Sequence, residues 1–564
     1  MKPKLLILSS ILILSALLRL ICLNKIPAGI NNDELHFVMN AKSIFYGYSN
    51  IEGNINPFKL GELSSLLFSP IIGPVPSNLF TARLPYAFIG CLSVLQIYLL
   101  VKRIAKNERL ALVSALIFSI NPWSVYVSRT SFDAPIAIFF YLFSINLLAS
   151  KKPKYILLST LTGLMAFNSY IGTKIIYFPI IAIVSYFMWH LNHKINSKLY
   201  LFASLFSLLI TINFAFKLSS NLVSGRIEEI QHPFSQSIKD QVNLERQQSL
   251  QVPIIKEVLT NKYTIYLKNF TQKYLYNFST DILFLDGDHT ATGSLWKHGY
   301  FYYIDSILII FGIIYLFNRY KKLLILLLSL IILSPIPEAI RIDTLPAYVF
   351  HSSFLFPFMS ILIGAGVLFI WSLKSNYIVR IIFILFYVLC FANFIDIYFF
   401  KAPIYQSEAF STSKRVLSKY LNLESQKNRE IFILTREPEV LFRSFLFYSN
   451  SYKKDKYSFI KNIYSKSQDI FTIENVHFTN NQLNLPLEGI FTLIYDSNNY
   501  VFKDNKLNLY ISNLADVGNI YTINKGHTCQ NFTYSKYPNN IHLKDLNIER
   551  LPEKEFCEKY LNIK

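Results

Sequence analysis

Long apolar runs, separated by short polar loops, dominate the first 400 residues of the chain. A helix needs roughly 20 predominantly apolar residues to cross the hydrocarbon core of a bilayer. Runs of that kind begin near residues 5, 77, 109, 133, 155, 175, 199, 301, 322, 351 and 378. The pattern therefore predicts a mainly α-helical, polytopic transmembrane bundle with about eleven spans.

The charge of the connecting loops alternates along the bundle. Every second loop is basic, with Lys and Arg at 2–4, 102–109, 151–154, 194–198, 319–322 and 374–380. Basic loops face the cytoplasm. The intervening segments, 25–76, 121–133, 168–174, 217–300 and 335–350, are therefore expected outside, together with the tail that follows the last span. We expect an integral protein of the cell (plasma) membrane with a cytoplasmic N-terminus.

Composition supports this class over a soluble enzyme with one large core. The 564 residues are 52% hydrophobic and 16% aromatic, and the mean hydropathy is +0.33. A formal charge of +20 would indicate a nucleic-acid partner in a soluble protein. Here the cations cluster in short loops between apolar runs, which is the pattern of charge that orients a membrane protein. We therefore predict no nucleic-acid partner.

A composition shift near Lys401 separates a membrane unit, 1–400, from a tail, 401–564, that is rich in Lys, Asn, Ser and Asp. The tail contains EIFILTR (430–436), IFTLIYD (490–496) and LNLYISN (507–513), which are short β-branched and aromatic runs bounded by turn residues. More polar, helix-like stretches lie between them. The tail is predicted to be a small extracytoplasmic α/β domain.

Two of the five cysteines, Cys529 and Cys557, fall in this tail. An extracytoplasmic compartment permits disulfides, so we predict that this pair is bonded. The other cysteines fall in apolar runs and are read as small buried side chains. The chain has no Cys/His cluster with metal-ligand spacing, so no metal site is predicted and no cofactor is assigned with certainty, although a divalent metal is left open.

An acidic pair, Asp33 and Glu34, stands in the first long outside loop, 25–76. The stretch ELHFVMNAKSIFYG reads as a short helix with Asn32 or Asp33 as its N-cap. Two interpretations of Asp33 remain open: a cap that satisfies helix donors, or a carboxylate that accepts a proton from an acceptor hydroxyl. Carboxylates beside hydrocarbon are costly, so they favour a functional role.

Asp133 and Arg129 occupy the second outside loop, four residues apart. A local ion pair that fixes a helix start is the simpler interpretation. The loop is expected on the same membrane face as the acidic pair, so two carboxylates and an arginine can line one cavity there. Asp286 and Asp288 flank Gly287, and a turn is favoured over a metal loop.

Several cations or potential cations lie at outside edges of spans. Taken singly, each is explained by solvation or by snorkelling to the interface. Taken together, they suit the phosphate of an anionic lipid better than any one does. They are Lys174, Arg226, His298, Arg341 and His351.

A set of short motifs resembles the GT-C membrane glycosyltransferases, specifically the protein O-mannosyltransferase and aminoarabinose-transferase-like family. The motifs are Arg19 and Pro27 with Asp33-Glu34, Ala82-Arg83-Leu84-Pro85, NPWSVYVSRTSFDAP, NSYIGTK, DILFLDGDHTATGSLWKHGY and SPIPEAI. The resemblance runs over most of residues 15–370. It departs from the commoner pattern in HSSFLFPF, where an arginine soon after His351 would be usual.

The resemblance implies a polyprenyl-phosphate-linked sugar as donor. Asp33 would be the catalytic base or the carboxylate that positions the acceptor, and Asp133 a second acidic residue. Cations of the outer loops would hold the donor phosphate; Arg129, Lys174, Arg226, His298 and Arg341 are the residues predicted for this. Glu34 or Asp133 would also stabilise an oxocarbenium-like centre.

The sequence therefore predicts a membrane glycosyltransferase that moves a sugar to a protein, lipid or glycan acceptor on the outer face, with inversion. A polytopic transporter or lipid flippase is the rival, although its usual midplane charges and inverted repeats are not visible. An inactive scaffold of the same fold is a third alternative.

Overall fold

A computed structural model describes residues 3–49, 51, 63–150, 152–191, 196–219, 232–288, 290, 292–341, 348–373, 377–427, 429–466, 469–486, 489–502, 508–515, 518–530, 532 and 541–563. This part of the chain is mainly helical. Arg226, one of the residues predicted to bind the donor phosphate, lies outside it.

The α-helices in the described residues are, in chain order, α1 (Pro3–Leu20), α2 (Asn32–Gly47), α3 (Leu63–Ile72), α4 (Leu79–Ala105), α5 (Glu108–Ile120), α6 (Pro122–Ser128), α7 (Ala134–Leu148), α8 (Pro153–Ser169), α9 (Tyr177–Leu191), α10 (Ser197–Ser219), α11 (Gln236–Gln247), α12 (Pro253–Leu259), α13 (Lys262–Tyr276), α14 (Asp305–Arg319), α15 (Lys321–Leu333), α16 (Ile336–Ala339), α17 (Leu355–Ser372), α18 (Tyr377–Asp396), α19 (Ala402–Tyr405), α20 (Thr412–Glu424), α21 (Pro438–Tyr448), α22 (Tyr457–Lys466) and α23 (Glu553–Tyr560).

A helix lies at each of the eleven positions where an apolar run predicted a span. Within the described residues, five helical segments are long and apolar enough to cross a membrane: Leu79–Ala105, Ser197–Lys217, Lys321–Ala339, Leu355–Ser372 and Tyr377–Tyr405. The bent pair α5 and α6, with a 60° angle between them, makes a sixth if it is one span. The membrane class therefore agrees with the sequence, and the count of eleven spans stays a prediction.

Contacts divide the chain into two compact units. The first consists of Met1–Leu18, Ile89–Val127 and Asp133–Phe394, and the second of Arg19–Phe88, Ser128–Phe132 and Ile395–Lys564. The second unit thus combines the first long loop, five residues of the second loop and the tail. Its last segment begins close to the boundary predicted near residue 400.

The first unit packs its helices closely where glycines allow it. A Cβ atom on Gly312 of α14 would lie 1.9 Å from the carbonyl oxygen of Leu362 on α17. A Cβ atom on Gly366 would lie 2.0 Å from the carbonyl oxygen of Leu308. Small residues at such positions let two helix backbones approach each other. This contact fixes α14 against α17.

The tail segment of the second unit contains a mixed sheet. Its strands are β1 (Glu430–Leu434), β2 (Ile470–Ile473), β3 (Val476–Thr479), β4 (Phe491–Asp496), β5 (Leu509–Ser512), β6 (Asn519–Asn524) and β7 (Leu561–Ile563). Their order is β2-β3-β1-β4-β6-β5-β7. Strand β1 pairs in parallel with β3 and β4, and the other pairs are antiparallel. The three strands predicted from the sequence are β1, β4 and β5.

Cys529 and Cys557 form a disulfide, with their Cα atoms 5.5 Å apart. Both side chains are buried. The bond joins the chain that follows β6 to helix α23, and so closes the end of the tail onto its own sheet.

Candidate functional site

Three buried guanidinium groups hold the backbone that leads into helix α2. The side chains of Arg83, Arg129 and Arg415 are at most 1% exposed. Together they donate hydrogen bonds to four consecutive carbonyl oxygens: Arg129 to Ile26 at 3.1 Å, Arg83 to Pro27 at 2.9 Å and to Gly29, and Arg415 to Ala28. Hydrogen bonds to charged groups are stronger than neutral ones. Each of the four residues 26–29, which lead into α2, is therefore held through its carbonyl oxygen.

Helix α2 begins with a capping box formed by Asn31 and Glu34. The Asn31 side chain accepts from the backbone N–H of Asp33 at 2.8 Å, and Glu34 Oε2 accepts from the backbone N–H of Asn31 at 3.0 Å. This arrangement satisfies two helix donors reciprocally. The N-cap is therefore Asn31, and the prediction of Asn32 or Asp33 is wrong by one or two residues because Glu34 is the side chain that closes the box.

The Asp33 carboxylate is left out of the cap. Asp33 is exposed, and in the described part of the chain its carboxylate has neither a hydrogen-bond donor nor a cation as partner. Its neighbour Asn32 accepts a hydrogen bond from Lys414 at 3.3 Å, and Lys414 also pairs with Glu437 at 3.3 Å. Asp33 is thus an accessible carboxylate beside a backbone segment that is held by hydrogen bonds.

Glu34 has the opposite environment. It is fully buried, and its Oε1 accepts the backbone N–H of Ser131 at 2.7 Å and pairs with Arg83 at 3.4 Å. Both carboxylate oxygens are therefore occupied by groups of the second unit. Glu34 therefore links the first and second loops structurally. Its predicted catalytic role, the stabilisation of an oxocarbenium-like centre, stays a prediction.

Arg129, predicted as a phosphate ligand, is fully buried in the same unit. Its guanidinium lies over the rings of Tyr398 and Phe399, at 5.6 and 4.9 Å from their centroids. Burial lowers the pKa of Arg129, and Tyr398 opposes this shift. The structure gives Arg129 a positioning role through residue 26. Arg83 was not among the predicted site residues, although the Ala82-Arg83-Leu84-Pro85 motif contained it.

Asp133, Lys174, His298 and Arg341 belong to the first unit. Lys174 is 2% exposed, and its ammonium lies over the rings of Phe167 and Phe214, at 5.1 and 4.9 Å. The pKa of Lys174 is lowered to about 8, chiefly by burial and also by the charge of Lys217, while the Asp133 carboxylate acts in the opposite direction. No described carboxylate lies within ion-pair distance of Lys174. Asp133 and Lys174 are thus brought within electrostatic range of each other.

Arg341 is held by a carboxylate that the sequence analysis did not single out. Glu338 is 1% exposed, and its Oε2 pairs with Arg341 at 3.3 Å and with His351 at 3.1 Å. Its Oε1 accepts the backbone N–H of Tyr348 at 3.0 Å. The SPIPEAI motif contained Glu338. Glu338 therefore orients Arg341 and His351 together.

Tyr170 lies beside this cluster. Its ring centroid is 5.8 Å from that of His351, and its buried hydroxyl has no hydrogen-bond partner among the described residues. Burial raises the pKa of Tyr170 well above its usual value, and the charges of Tyr348 and Asp133 act in the same direction. A buried hydroxyl without a partner is costly, so a ligand oxygen at this position would relieve that cost.

Two other predicted residues lie in structural positions. His298 is 3% exposed, bonds to the carbonyl oxygen of Gly299 and packs against the ring of Phe394. Burial lowers the pKa of His298, so the imidazole favours its neutral form and offers little charge to a phosphate. Asp288 is also buried, accepts from the backbone N–H groups of Thr290 and Val349, and holds the predicted turn.

Within the described residues no group of three His, Cys, Asp or Glu has the geometry of a metal site.

Part of the chain matches the model of one known protein family. The model described as dolichyl-phosphate-mannose-protein mannosyltransferase matches residues 67–216. This match confirms the GT-C resemblance predicted from the sequence. No curated protein matches the chain.

Solved structures also show similarity. A Saccharomyces cerevisiae protein O-mannosyltransferase complex, Pmt1-Pmt2 bound to its sugar donor, is 16% identical over 42% of this chain and 36% of that chain, with a TM-score of 0.30. ArnT from Cupriavidus metallidurans in the apo state is 11% identical over 92% of this chain and 97% of that chain, with a TM-score of 0.45. The same protein bound to undecaprenyl phosphate gives 10% identity, the same coverage and a TM-score of 0.41. The chain spans about a third of the length of the O-mannosyltransferase.

Proposed function

From the family match over residues 67–216, we propose that this chain is a GT-C membrane glycosyltransferase that takes a sugar from a polyprenyl-phosphate donor. The acceptor is a hydroxyl of a protein, lipid or glycan on the extracytoplasmic face, and the anomeric configuration is inverted. The tail from about residue 401 belongs to that face in this proposal, and the eleven helices at the predicted positions cross the cell membrane.

The exposed carboxylate of Asp33 is the observation that carries the choice of catalytic base in this proposal. Asp33 sits in the first turn of α2, next to a backbone held by three buried guanidinium groups. A catalytic base must be accessible and must be held in a fixed geometry. Asp33 meets both conditions, whereas Glu34, one residue later, is buried and has both oxygens engaged.

The proposed reaction is a single displacement. The acceptor oxygen attacks the anomeric carbon while the bond from that carbon to the phosphate oxygen breaks, and the bonding electrons leave with the phosphate. The proton of the acceptor hydroxyl passes to the Asp33 carboxylate. A polyprenyl phosphate is already a good leaving group, so the step needs a base and cations rather than a strong acid.

Cations for the donor phosphate are proposed separately, from the first unit. Lys174 has no carboxylate partner in the described residues, and Arg341 and His351 share the buried carboxylate of Glu338. The unpartnered hydroxyl of Tyr170 supplies a neutral donor in the same cluster. These groups suit a phosphate better than Arg129 or His298, whose nitrogens bond to backbone carbonyl oxygens in buried positions.

The test is transfer of sugar from a panel of radiolabelled polyprenyl-phosphate sugars by native membranes that contain the full chain and also supply the protein, lipid and glycan acceptors. The variants are wild type, Asp33→Asn and Asp469→Asn. Asp469 is also an exposed carboxylate without a described partner in the second unit, so it is a matched control. Loss of a general base costs about 10²–10⁴ in rate. We expect this loss in Asp33→Asn and wild-type turnover in Asp469→Asn.

Three results would count against the proposal. No turnover with any donor would favour the transporter or the scaffold alternative. Turnover that is equal in wild type and Asp33→Asn would leave the activity and remove the base. A product that retains the anomeric configuration of the donor would rule out the single displacement.

A further inference from the structure

An exposed apolar surface covers the helical hairpin Gln236–Tyr276, which consists of α11, α12 and α13. The hairpin has a small core of its own, made by Ile238, Val242 and Ile265. The side chain of Asn269 donates to Gln241 across the two long helices at 2.8 Å. Most of its other large apolar side chains point away from this core. The hairpin is therefore folded, yet it leaves much apolar surface uncovered.

The exposed side chains concentrate at the tip, on and around α12. Leu250 is 106% exposed, Ile254 78% and Val258 65%, and Val252 and Leu259 are more than half exposed. Soluble surfaces rarely carry a contiguous apolar patch of this kind without a partner. The tip therefore has the composition of a surface that is covered in the native environment.

The apolar surface continues along one face of α13. Tyr263, Leu267 and Leu275 are 58%, 62% and 59% exposed. At 100° per residue these positions fall within a 120° arc, while Ile265 on the other side faces the hairpin core. The stripe runs along a helix of about 22 Å, at 1.5 Å per residue. A stripe of this length fits a helix that lies flat on an apolar boundary.

The root of the hairpin is attached at the end of an apolar span. The hydroxyl of Tyr274 donates to the carbonyl oxygen of Ile332 at 2.7 Å, and Lys273 donates to the carbonyl oxygen of Arg341. Ile332 lies in the second half of the span-length segment Lys321–Ala339, and Arg341 follows the end of that segment by two residues. The hairpin therefore starts at the level where that span would leave the hydrocarbon.

The charge of the hairpin favours lipid over a second protein. It contains six Lys or Arg residues and three Asp or Glu residues. Basic side chains beside an exposed apolar face are typical of helices that lie in the interface of anionic membranes. The cations Lys256, Lys262 and Lys268 flank the tip and the stripe.

We propose that the hairpin is a lipid-binding element that lies on the outer leaflet, with the tip and the α13 stripe immersed among anionic phospholipids. This inference rests on the proposed extracytoplasmic location of the loop. The hairpin packs through α13 and Lys273 on the segment that carries Glu338 and Arg341, so it holds the cation cluster close to the leaflet from which a lipid-linked donor would come.

The test uses the full chain in nanodiscs with single cysteines labelled by an environment-sensitive fluorophore. The background replaces the free cysteines Cys22, Cys91 and Cys390 by Ala, while the disulfide stays. Labels at Ile254→Cys and Leu267→Cys probe the tip and the stripe. A label at Asn243→Cys, on an exposed polar position of α11, is the matched control.

We expect brominated phospholipids to quench the labels at positions 254 and 267, with a blue-shifted emission, and to leave the label at 243 unchanged. Quenching should weaken when phosphatidylglycerol is replaced by phosphatidylcholine. Aqueous iodide that quenches all three positions equally would overturn the proposal. Shielding from both bromine and iodide would also overturn it and would indicate a protein partner. None of these readouts depends on turnover, so failure here is distinct from failure of the proposed activity.

Discussion

The buried ion pair between Glu34 and Arg83 gives the sharpest prediction for stability. Both side chains are fully buried and 3.4 Å apart. The change Glu34→Gln keeps the size of the side chain and removes its charge. One oxygen can still accept from Ser131, but the amide nitrogen then meets the N–H of Asn31, which is also a donor. The variant therefore leaves a buried guanidinium without its carboxylate and breaks one half of the capping box.

The expected cost follows from these contacts. Removal of one partner of a buried ion pair costs about 3–5 kcal/mol. Because the retained oxygen keeps one hydrogen bond, we expect the lower end, about 3 kcal/mol. A unit of 150–250 residues loses roughly 2–4 °C of Tm per kcal/mol, so the apparent Tm should fall by roughly 6–12 °C. In Asp33→Asn, which changes an exposed side chain, the free energy of unfolding should change by less than about 0.5 kcal/mol.

The assay is thermal unfolding of the purified full chain in detergent, at a fixed heating rate, with the monodisperse fraction measured by size-exclusion chromatography. Wild type, Glu34→Gln, Arg83→Gln, Asp33→Asn and the double variant Glu34→Gln/Arg83→Gln are compared. The double variant should lose less than the sum of the two single variants, because the uncompensated charge is gone. An apparent Tm of Glu34→Gln within 2 °C of wild type would refute the assignment of Glu34 to a structural link.

Further variants test the cation cluster, the disulfide and the clamp on the entry to α2. The pKa of Lys174 is lowered to about 8, so the side chain loses its charge as the pH rises through 8. If this charge binds the donor phosphate, the KM for the donor should increase about tenfold from pH 7 to pH 9. The variant Lys174→Arg stays charged over this range and should remove that increase. A donor KM that is flat with pH in wild type would exclude Lys174 from phosphate binding. The variant Cys529→Ser opens a loop with a sequence separation of 28 and should lower the free energy of unfolding by about 3–4 kcal/mol. The variant Cys557→Ser breaks the same bond, so it should show the same loss in the same denaturation assay. Different losses in the two variants would contradict the assignment of the loss to the disulfide. Arg415→Lys should lose about 2–3 kcal/mol, because lysine cannot make the two-pronged contact with Glu549; wild-type stability would show that the clamp adds nothing.

The sequence pattern was sufficient to predict those helices and strands that are encoded by neighbouring residues. The apolar runs placed a helix at each of eleven positions, and the β-branched runs placed β1, β4 and β5. The cysteines of the tail were the pair that is bonded. Such signals survive without tertiary information, because burial against lipid or against a sheet imposes a period on consecutive residues.

The roles of the acidic pair could not be read in the same way. Asp33 and Glu34 are adjacent and chemically similar, yet Asp33 is exposed and Glu34 is fully buried. The difference comes from partners 49 and 97 residues away, Arg83 and Ser131. No local period encodes a contact over such a distance.

The sequence by itself determined the membrane class of this protein, through the apolar helices and the basic loops between them. It also determined the α/β character of the tail and the motifs that resemble those of GT-C enzymes. Only the tertiary structure decided which charges are available. It assigned Arg129 and Arg83 to backbone carbonyl oxygens, tied Arg341 to Glu338 and left Asp33 accessible. The physical reason is that hydrophobic periodicity is a property of consecutive residues, whereas a buried charge is defined by the distant groups that solvate it in place of water.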